Sequence, residues 1–276
     1  MRIVTLMENS EGAPGCLFEH GLSCYIETKG HTLLFDSGAS SGFLENARLL
    51  DIDLAKVDTV FLSHGHYDHA GGLLAFAAIN HTAPIYMQRS AAGGYYRKDE
   101  GAEPHYIGID PAIMELPQVK FLDGDASPFE NAYLFSGITG RRFFSASNFP
   151  LKEINGLSVK EDSFAHEQCL VIREDGKYYL FSGCAHNGML NILDRFREIF
   201  GCAPDFVISG FHFMKKSDYT AEEMRIIEET AKELAALPTV FYTGHCTSLP
   251  AYFLMKPFMG RKLQLLHSGT EVDLTC

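Results

Sequence analysis

Basic residues are scarce in this chain: 23 Lys and Arg stand against 35 Asp and Glu, a formal net charge of −12 over 276 residues. A surface of that sign is a poor partner for nucleic acid or an anionic membrane, since both are polyanions. Long apolar runs are missing too, and none approaches the length of a membrane-spanning helix. The opening Met1-Arg2-Ile3-Val4-Thr5-Leu6-Met7 reaches Glu8 and Asn9 too soon to form the apolar segment of an export signal. The seven cysteines are Cys16, Cys24, Cys169, Cys184, Cys202, Cys246 and Cys276, an odd and scattered set without any C-x-x-C. Reduced thiols in a cytoplasm explain that usage better than a disulfide framework. No low-complexity tract or linker divides the chain, so residues 1–276 are expected to form one domain.

What is present is a mixture of short strands and helices. Ile3 to Met7, Leu22 to Glu27 and His31 to Phe35 read as strands, with Lys29-Gly30 as a hairpin turn. Ser41 is placed to cap a helix through Leu44, Ala47 and Leu50, and Leu73, Phe76, Ala77 and Asn80 follow helical spacing. Residues 89–164 are broken repeatedly by glycine and proline. They read as an irregular excursion that covers the substrate, as long loops in compact enzymes often do. A hairpin around Asp175-Gly176 follows, then a helix closed by Gly201. Thr220 with Glu223 forms a capping box for a helix that turns Met224, Ile227, Ala231 and Leu234 inward.

The chemistry is concentrated in His64-Gly65-His66-Tyr67-Asp68-His69, directly after the apolar run Thr59-Val60-Phe61-Leu62. Imidazole and carboxylate are the ligands of zinc and its first-row neighbours. His64 and His66, at i and i+2, leave a strand end on the same side, and Asp68 can start the next helix. The loop therefore offers two pairs of ligands to two adjacent points. A polar loop of unpaired histidines would account for one of them, not for three with an aspartate. Further candidates also follow strand ends: Cys184 and His186 after Phe181, His212 after Ile208, and His245 after Tyr242. Strands lying side by side would gather these turns at one edge.

With Gly71-Gly72 behind it, the histidine loop resembles the signature of the metallo-β-lactamase superfamily. Phe35-Asp36-Ser37-Gly38 resembles its early D-[ST]-G turn. Phe181-Ser182-Gly183-Cys184-Ala185-His186 and Thr243-Gly244-His245-Cys246 resemble its later metal-bearing turns. These stretches together are similar to a subgroup called dihydropteroate-synthase-like, some of whose members form a dihydropterin ribofuranosyl-aminobenzene phosphate. The resemblance implies an α+β fold, a four-layer αββα sandwich of two mixed β-sheets flanked by helices. It also implies two divalent metal ions, zinc in the first place, with iron or manganese as alternatives. His64, His66 and His186 are assigned to one ion, and Asp68, His69 and His245 to the other. Three protein ligands per ion leave room for water and substrate, and a hydroxide activated between the ions would attack a carbonyl or phosphoryl centre.

The chain departs from the family pattern at two points. The turn after Phe181 usually reads T-G-D, with the aspartate bridging both metals; here it is Ser182-Gly183-Cys184. The usual third histidine upstream is also replaced, its nearest equivalent being His166 in Phe164-Ala165-His166-Glu167-Gln168. Cys184 as a thiolate, His186 or His166 could complete the site, and His186 is preferred. A small buried filler is the alternative for Cys184. Asp36 is expected to orient a ligating histidine, with a simple turn residue as the alternative. Asp68 and His212 are the catalytic candidates, His212 as a donor to substrate. His20, Tyr96, Arg97 and Lys98 are candidates for substrate binding, since arginine and lysine suit phosphate or carboxylate; a solvated loop is the alternative. Arg141 and Arg142 have the same standing.

The expected function is hydrolysis of a small, soluble, anionic molecule, with a homodimer left open. A pterin-related synthase or transferase, a di-iron redox protein and a non-catalytic binding protein on the same fold are the alternatives.

Overall fold

Alternation of buried side chains along the strands sets the layers. In the Arg2–Met7 strand, Ile3 points to one side and Val4 and Leu6 to the other; in Thr32–Phe35, Leu33 and Phe35 oppose Leu34. A strand apolar on both faces must lie between two layers. The computed structural model, which describes residues 1–274, has this arrangement. Cys276 lies outside the described residues, and Cys16, Cys24, Cys169, Cys184, Cys202 and Cys246 are free thiols.

One sheet has seven strands in the spatial order Thr270–Glu271, Arg2–Met7, Ser23–Glu27, Thr32–Phe35, Thr59–Phe61, Ile85–Gln88 and Val119–Leu122. The other has six: Leu263–Leu265, Val240–Thr243, Phe206–Ile208, Lys177–Phe181, Cys169–Glu174 and Ala132–Phe135. Both are mixed. Parallel pairing runs from Thr32–Phe35 through Val119–Leu122 in the first and from Lys177–Phe181 through Leu263–Leu265 in the second. Helices α1 (Gly42–Leu49), α2 (Tyr67–Ala70) and α3 (Leu73–Ile79) belong to the first half. Helices α4 (Met189–Phe200), α5 (Ala221–Ala235) and α6 (Leu249–Met259) belong to the second.

Three apolar clusters fill the gaps between the four layers. The central one joins Ile3, Phe35 and Phe61 to Leu170, Phe181 and Ile208 between the sheets. A second packs the outer face of the seven-stranded sheet on Phe43, Leu73 and Phe76. The third packs the six-stranded sheet on Ile192, Phe196, Ile227 and Met255. The expected αββα sandwich is the observed fold. Among the described residues, no helix is long and apolar enough to cross a membrane.

Three local expectations change. Residues 89–164 contain regular structure. Val119–Leu122 and Ala132–Phe135 extend the two main sheets, while Tyr95–Arg97, His105–Tyr106, Leu151–Asn155 and Ser158–Glu161 build a third, four-stranded sheet. The glycines and prolines that made the segment look irregular lie mostly in the connections between these short strands. Met224 is 37% exposed, because the first turn of α5 runs clear of the core; Ile227, Ala231 and Leu234 form the buried stripe. Ser41 occupies the N-cap of α1, but its side chain makes no cap hydrogen bond.

Phe196 of α4 is fully buried and meets Tyr178 edge-on at 5.8 Å. Replacing it with alanine should cost about 3–5 kcal/mol. Urea unfolding should show a lower midpoint at unchanged slope, with metal content unaltered; an unchanged midpoint would contradict this packing.

Candidate metal centre

Parallel pairing brings the site turns to one edge. Phe35 pairs with Phe61, Phe181 with Ile208, and Ile208 with Tyr242. The rings of Phe35 and Phe181 meet across the sheets at 5.7 Å. The turns beyond these residues therefore converge at the carboxyl ends of the parallel strands, where α/β sheets commonly place ligands.

Each turn is strained and pinned. Asp36, Ala185, His212 and His245 all have left-handed backbones, with φ of 58°, 54°, 48° and 48°. Such non-glycine residues persist only where their surroundings over-determine them. The Asp36 carboxylate accepts from Ser63 N–H and Ser63 Oγ–H, both at 2.7 Å, and from His69 Nδ1–H at 2.6 Å. Glu167, buried, accepts from the backbone N–H groups of His186 (2.6 Å) and Asn187 (3.0 Å). Glu8, also buried, accepts from the backbone N–H groups of His245 and Ser10. Gly183 must be glycine for a different reason: a Cβ there would lie 2.2 Å from Ser63 Oγ and 3.0 Å from His64 Nδ1.

These contacts fix the imidazole tautomers. His69 Nδ1–H donates to Asp36, His245 Nδ1–H to Asn9 Oδ1 (2.8 Å), and His186 Nδ1–H to Asn148 Oδ1 (3.0 Å). Ser63 gives its proton to Asp36, so it accepts from His64 Nδ1–H at 2.8 Å. With neutral rings, all four Nε2 atoms then point inward with free lone pairs. They meet in two pairs: His64 and His186 at 3.3 Å, His69 and His245 at 3.2 Å. Facing lone pairs repel unless a cation lies between or beside them. Two such pairs, with Asp68 Oδ2 3.3 Å from His245 Nε2, fit two cations. The buried Nε2 of His66 makes no hydrogen bond and lies 3.7 Å from Asp162 Oδ2. The donor atoms of His64, His66 and Asp68 lie within 4.8 Å of one another, and so do those of Asp68, His69, Cys184 and His245.

Electrostatics agree with this reading. Burial, then the neighbouring histidines, hold His64 and His186 well below their ordinary value, so both stay neutral and able to ligate. Burial alone would raise the Asp68 carboxyl, but His69, His20 and His245 outweigh it and keep it well below the usual range. Burial pulls His69 down, yet Asp36 and Asp68 more than offset it and push it up to about 9. In the metal-free protein a proton thus sits where a cation would.

His166 does not join these pairs. Its Nδ1 accepts from Gly65 N–H at 2.9 Å, so its Nε2–H donates to Asp162 at 3.1 Å. Both nitrogens are thus engaged, although the donor atoms of His66, Asp162 and His166 also lie within 4.8 Å of one another. A cavity of about 120 Å³ opens over the site, lined by His20, Asp68, Arg97, Cys184, His186 and His212 among others. His20 Nε2 is 3.2 Å from Asp68 Oδ2, and the His212 ring lies 4.0 Å from that of His186. Tyr96 and Lys98 are not in the lining: strand alternation turns Tyr96 onto Tyr106, 5.2 Å away, and Lys98 into solvent. Arg141 is bonded to the carbonyls of Ile138, Gly140 and Ser163, and Arg142 to Asp194 and Glu233; neither lines the cavity. Glu8, Asn9, Ser63, Asn148, Asp162 and Glu167 were not singled out from sequence, although Glu8-Asn9 directly follows a strand and Glu167 lies two residues before one.

Comparisons with known proteins give a consistent picture. A family model described as the metallo-beta-lactamase superfamily matches residues 18–220. The chain is 28% identical to the 7,8-dihydropterin-6-methyl-4-(beta-D-ribofuranosyl)-aminobenzene-5'-phosphate synthase of Methanocaldococcus jannaschii, over 98% of this chain and 95% of that protein. The crystal structure of Tm1679, described as a metal-dependent hydrolase of the beta-lactamase superfamily, matches with a TM-score of 0.80 and 28% identity over 100% of both chains. Zn2+-bound PqqB from Methylobacterium extorquens shares the fold, with a TM-score of 0.60 and 13% identity over 99% of this chain and 100% of that one.

Two outcomes test the centre. Asn148→Ala frees the outer nitrogen of His186 and should weaken metal binding about 10–100-fold in a chelator competition; unchanged affinity would remove the orienting role. The ion beside His69 must displace a proton below pH about 9. Its apparent affinity should therefore rise at least tenfold per pH unit below that value, and calorimetry in buffers of different ionisation enthalpy should register proton release.

Proposed function

This chain belongs to the metallo-beta-lactamase superfamily, and from that premise we propose that it is a metal-dependent hydrolase of a small, anionic molecule. The observation that carries the proposal is the double pairing of buried imidazole Nε2 atoms, at 3.3 and 3.2 Å, beneath a cavity. Cations bound there supply Lewis acidity, lowering the pKa of water and offsetting charge on the attacked oxygen.

The chain's own residues do the rest. His64, His66 and His186 form one donor set; Asp68, His69 and His245 form the other. Asp68, held ionised, contributes negative charge at the cavity wall. His212 lines the cavity, and its imidazole is placed to donate to a departing oxygen. Arg97 reaches the lining while paired to Asp99 at 2.7 Å, and its guanidinium can exchange that partner for a substrate phosphate or carboxylate. A cavity of about 120 Å³ admits the reacting end of a small molecule.

The near full-length similarity to a pterin-related synthase favours a second reading, in which an organic nucleophile takes the place of water. Phosphodiester, phosphomonoester, thioester and lactone substrates, run beside a dihydropterin with a ribofuranosyl-aminobenzene phosphate, separate the two. Hydrolysis should be abolished by chelation and by Asp68→Ala. Arg97→Ala should raise KM about tenfold or more at nearly constant kcat. Condensation without hydrolysis would replace the hydrolase reading with the synthase one, and a protein that purifies and reconstitutes without metal would end both.

A further inference from the structure

One sulfur lies between the two imidazole pairs. Cys184 Sγ is 3.2 Å from His69 Nε2. Its donor atom lies within 4.8 Å of those of Asp68, His69 and His245 on one side and of His64 and His186 on the other. Cys184 is the one member common to these two sets among the described residues. We propose that Cys184, as a thiolate, bridges the two metal ions. This rests on the dinuclear reading above and adds to it the donor that joins the two halves.

No other anionic side chain can take that place. The Asp36 carboxylate is consumed by Ser63 and His69, and Glu167 by His186 N–H, Asn187 N–H and the Asn187 side chain. Asp162 accepts from Phe164 N–H and His166 Nε2–H. Asp68, and Asp162 beside His66, are then the carboxylates left to offset two divalent ions among neutral imidazoles, and neither lies in both imidazole sets; a thiolate at Cys184 supplies a further negative charge where both ions feel it. Cys246 differs in its contacts: its Sγ–H donates to the Cys184 carbonyl oxygen at 3.4 Å, and it packs on Gly210, where a Cβ would lie 2.3 Å from the sulfur. On metal binding the Cys184 S–H bond breaks, its proton leaves to solvent, and the sulfur lone pairs form one bond to each ion. Sulfur as the shared donor favours zinc, cobalt(II) and iron(II) over manganese and magnesium, which prefer oxygen.

X-ray absorption on the unmodified, zinc-loaded full chain tests the bridge directly. With one cysteine shared, each zinc should see about one sulfur at roughly 2.3 Å; a sulfur bound to one ion averages about one half. Cobalt(II) titration of the same protein should raise a sulfur-to-cobalt charge-transfer band in the near ultraviolet. Cys184→Ser should lose this band and Cys246→Ser keep it. Cys184→Asp should bind two ions without the band and shift competition towards manganese. Two zinc ions bound with a half-occupied sulfur shell, with none, or with a band that survives in Cys184→Ser would overturn the bridge and leave the dinuclear reading standing. Fewer than two ions per chain would overturn both.

Discussion

Inward-facing lone pairs on buried imidazoles are the constraint on which the rest of this site depends. An imidazole nitrogen placed against another at 3.2 Å is unfavourable unless something positive lies with it. The protein enforces that arrangement by giving every outer nitrogen an acceptor: a carboxylate for His69, amide oxygens for His245 and His186, and a hydroxyl relayed to Asp36 for His64. The acceptors fix which nitrogen carries the proton, and the tautomers then fix where a cation can bind. Asp36 is central because a single carboxylate serves two of the four rings and also anchors the turn that carries it.

The same constraint explains the strain. Four non-glycine residues with left-handed backbones sit at or beside the donors; Asp36, His212 and His245 are held by hydrogen bonds from other parts of the chain, and Ala185 through its neighbour His186. Glu8 and Glu167 are buried carboxylates that touch no donor atom, yet they hold the backbone of two donor turns through N–H groups. Burying a carboxylate is costly unless it is fully paired. Here the pairing is to backbone amides of the strained turns, so the burial cost and the strain are offset by the same hydrogen bonds.

The sandwich makes the convergence possible. Parallel strands end at the same level, so turns distant in sequence open onto one edge, and the ring contact of Phe35 with Phe181 holds the edges of the two sheets together. The third small sheet brings Arg97 to the cavity, and the segment around it brings Asn148, Asp162 and Phe164 against the histidines. Phe164 stacks on His186 at 4.6 Å with the rings nearly parallel, excluding water from that side of the ligand.

Much of this was legible in the sequence. Period-two and helical apolar spacing located most elements, because each residue's side is set by its immediate backbone geometry. The density of imidazoles in His64–His69 pointed to a metal-binding site, because three histidines and an aspartate in six residues exceed what a polar loop needs. What stayed hidden depends on partners far apart in the chain: Asn9 with His245, Asn148 with His186, Glu8 with the last histidine turn. His166 looked like a ligand by position, and its nitrogens are taken up by Gly65 N–H and Asp162. Tyr96 looked like Arg97's companion and faces the other way, because adjacent strand residues must point to opposite sides. Residue identity thus determined which donors the chain owns. Only tertiary structure decided which lone pair of each donor points inward, since that direction is set by hydrogen bonds closed across more than two hundred residues.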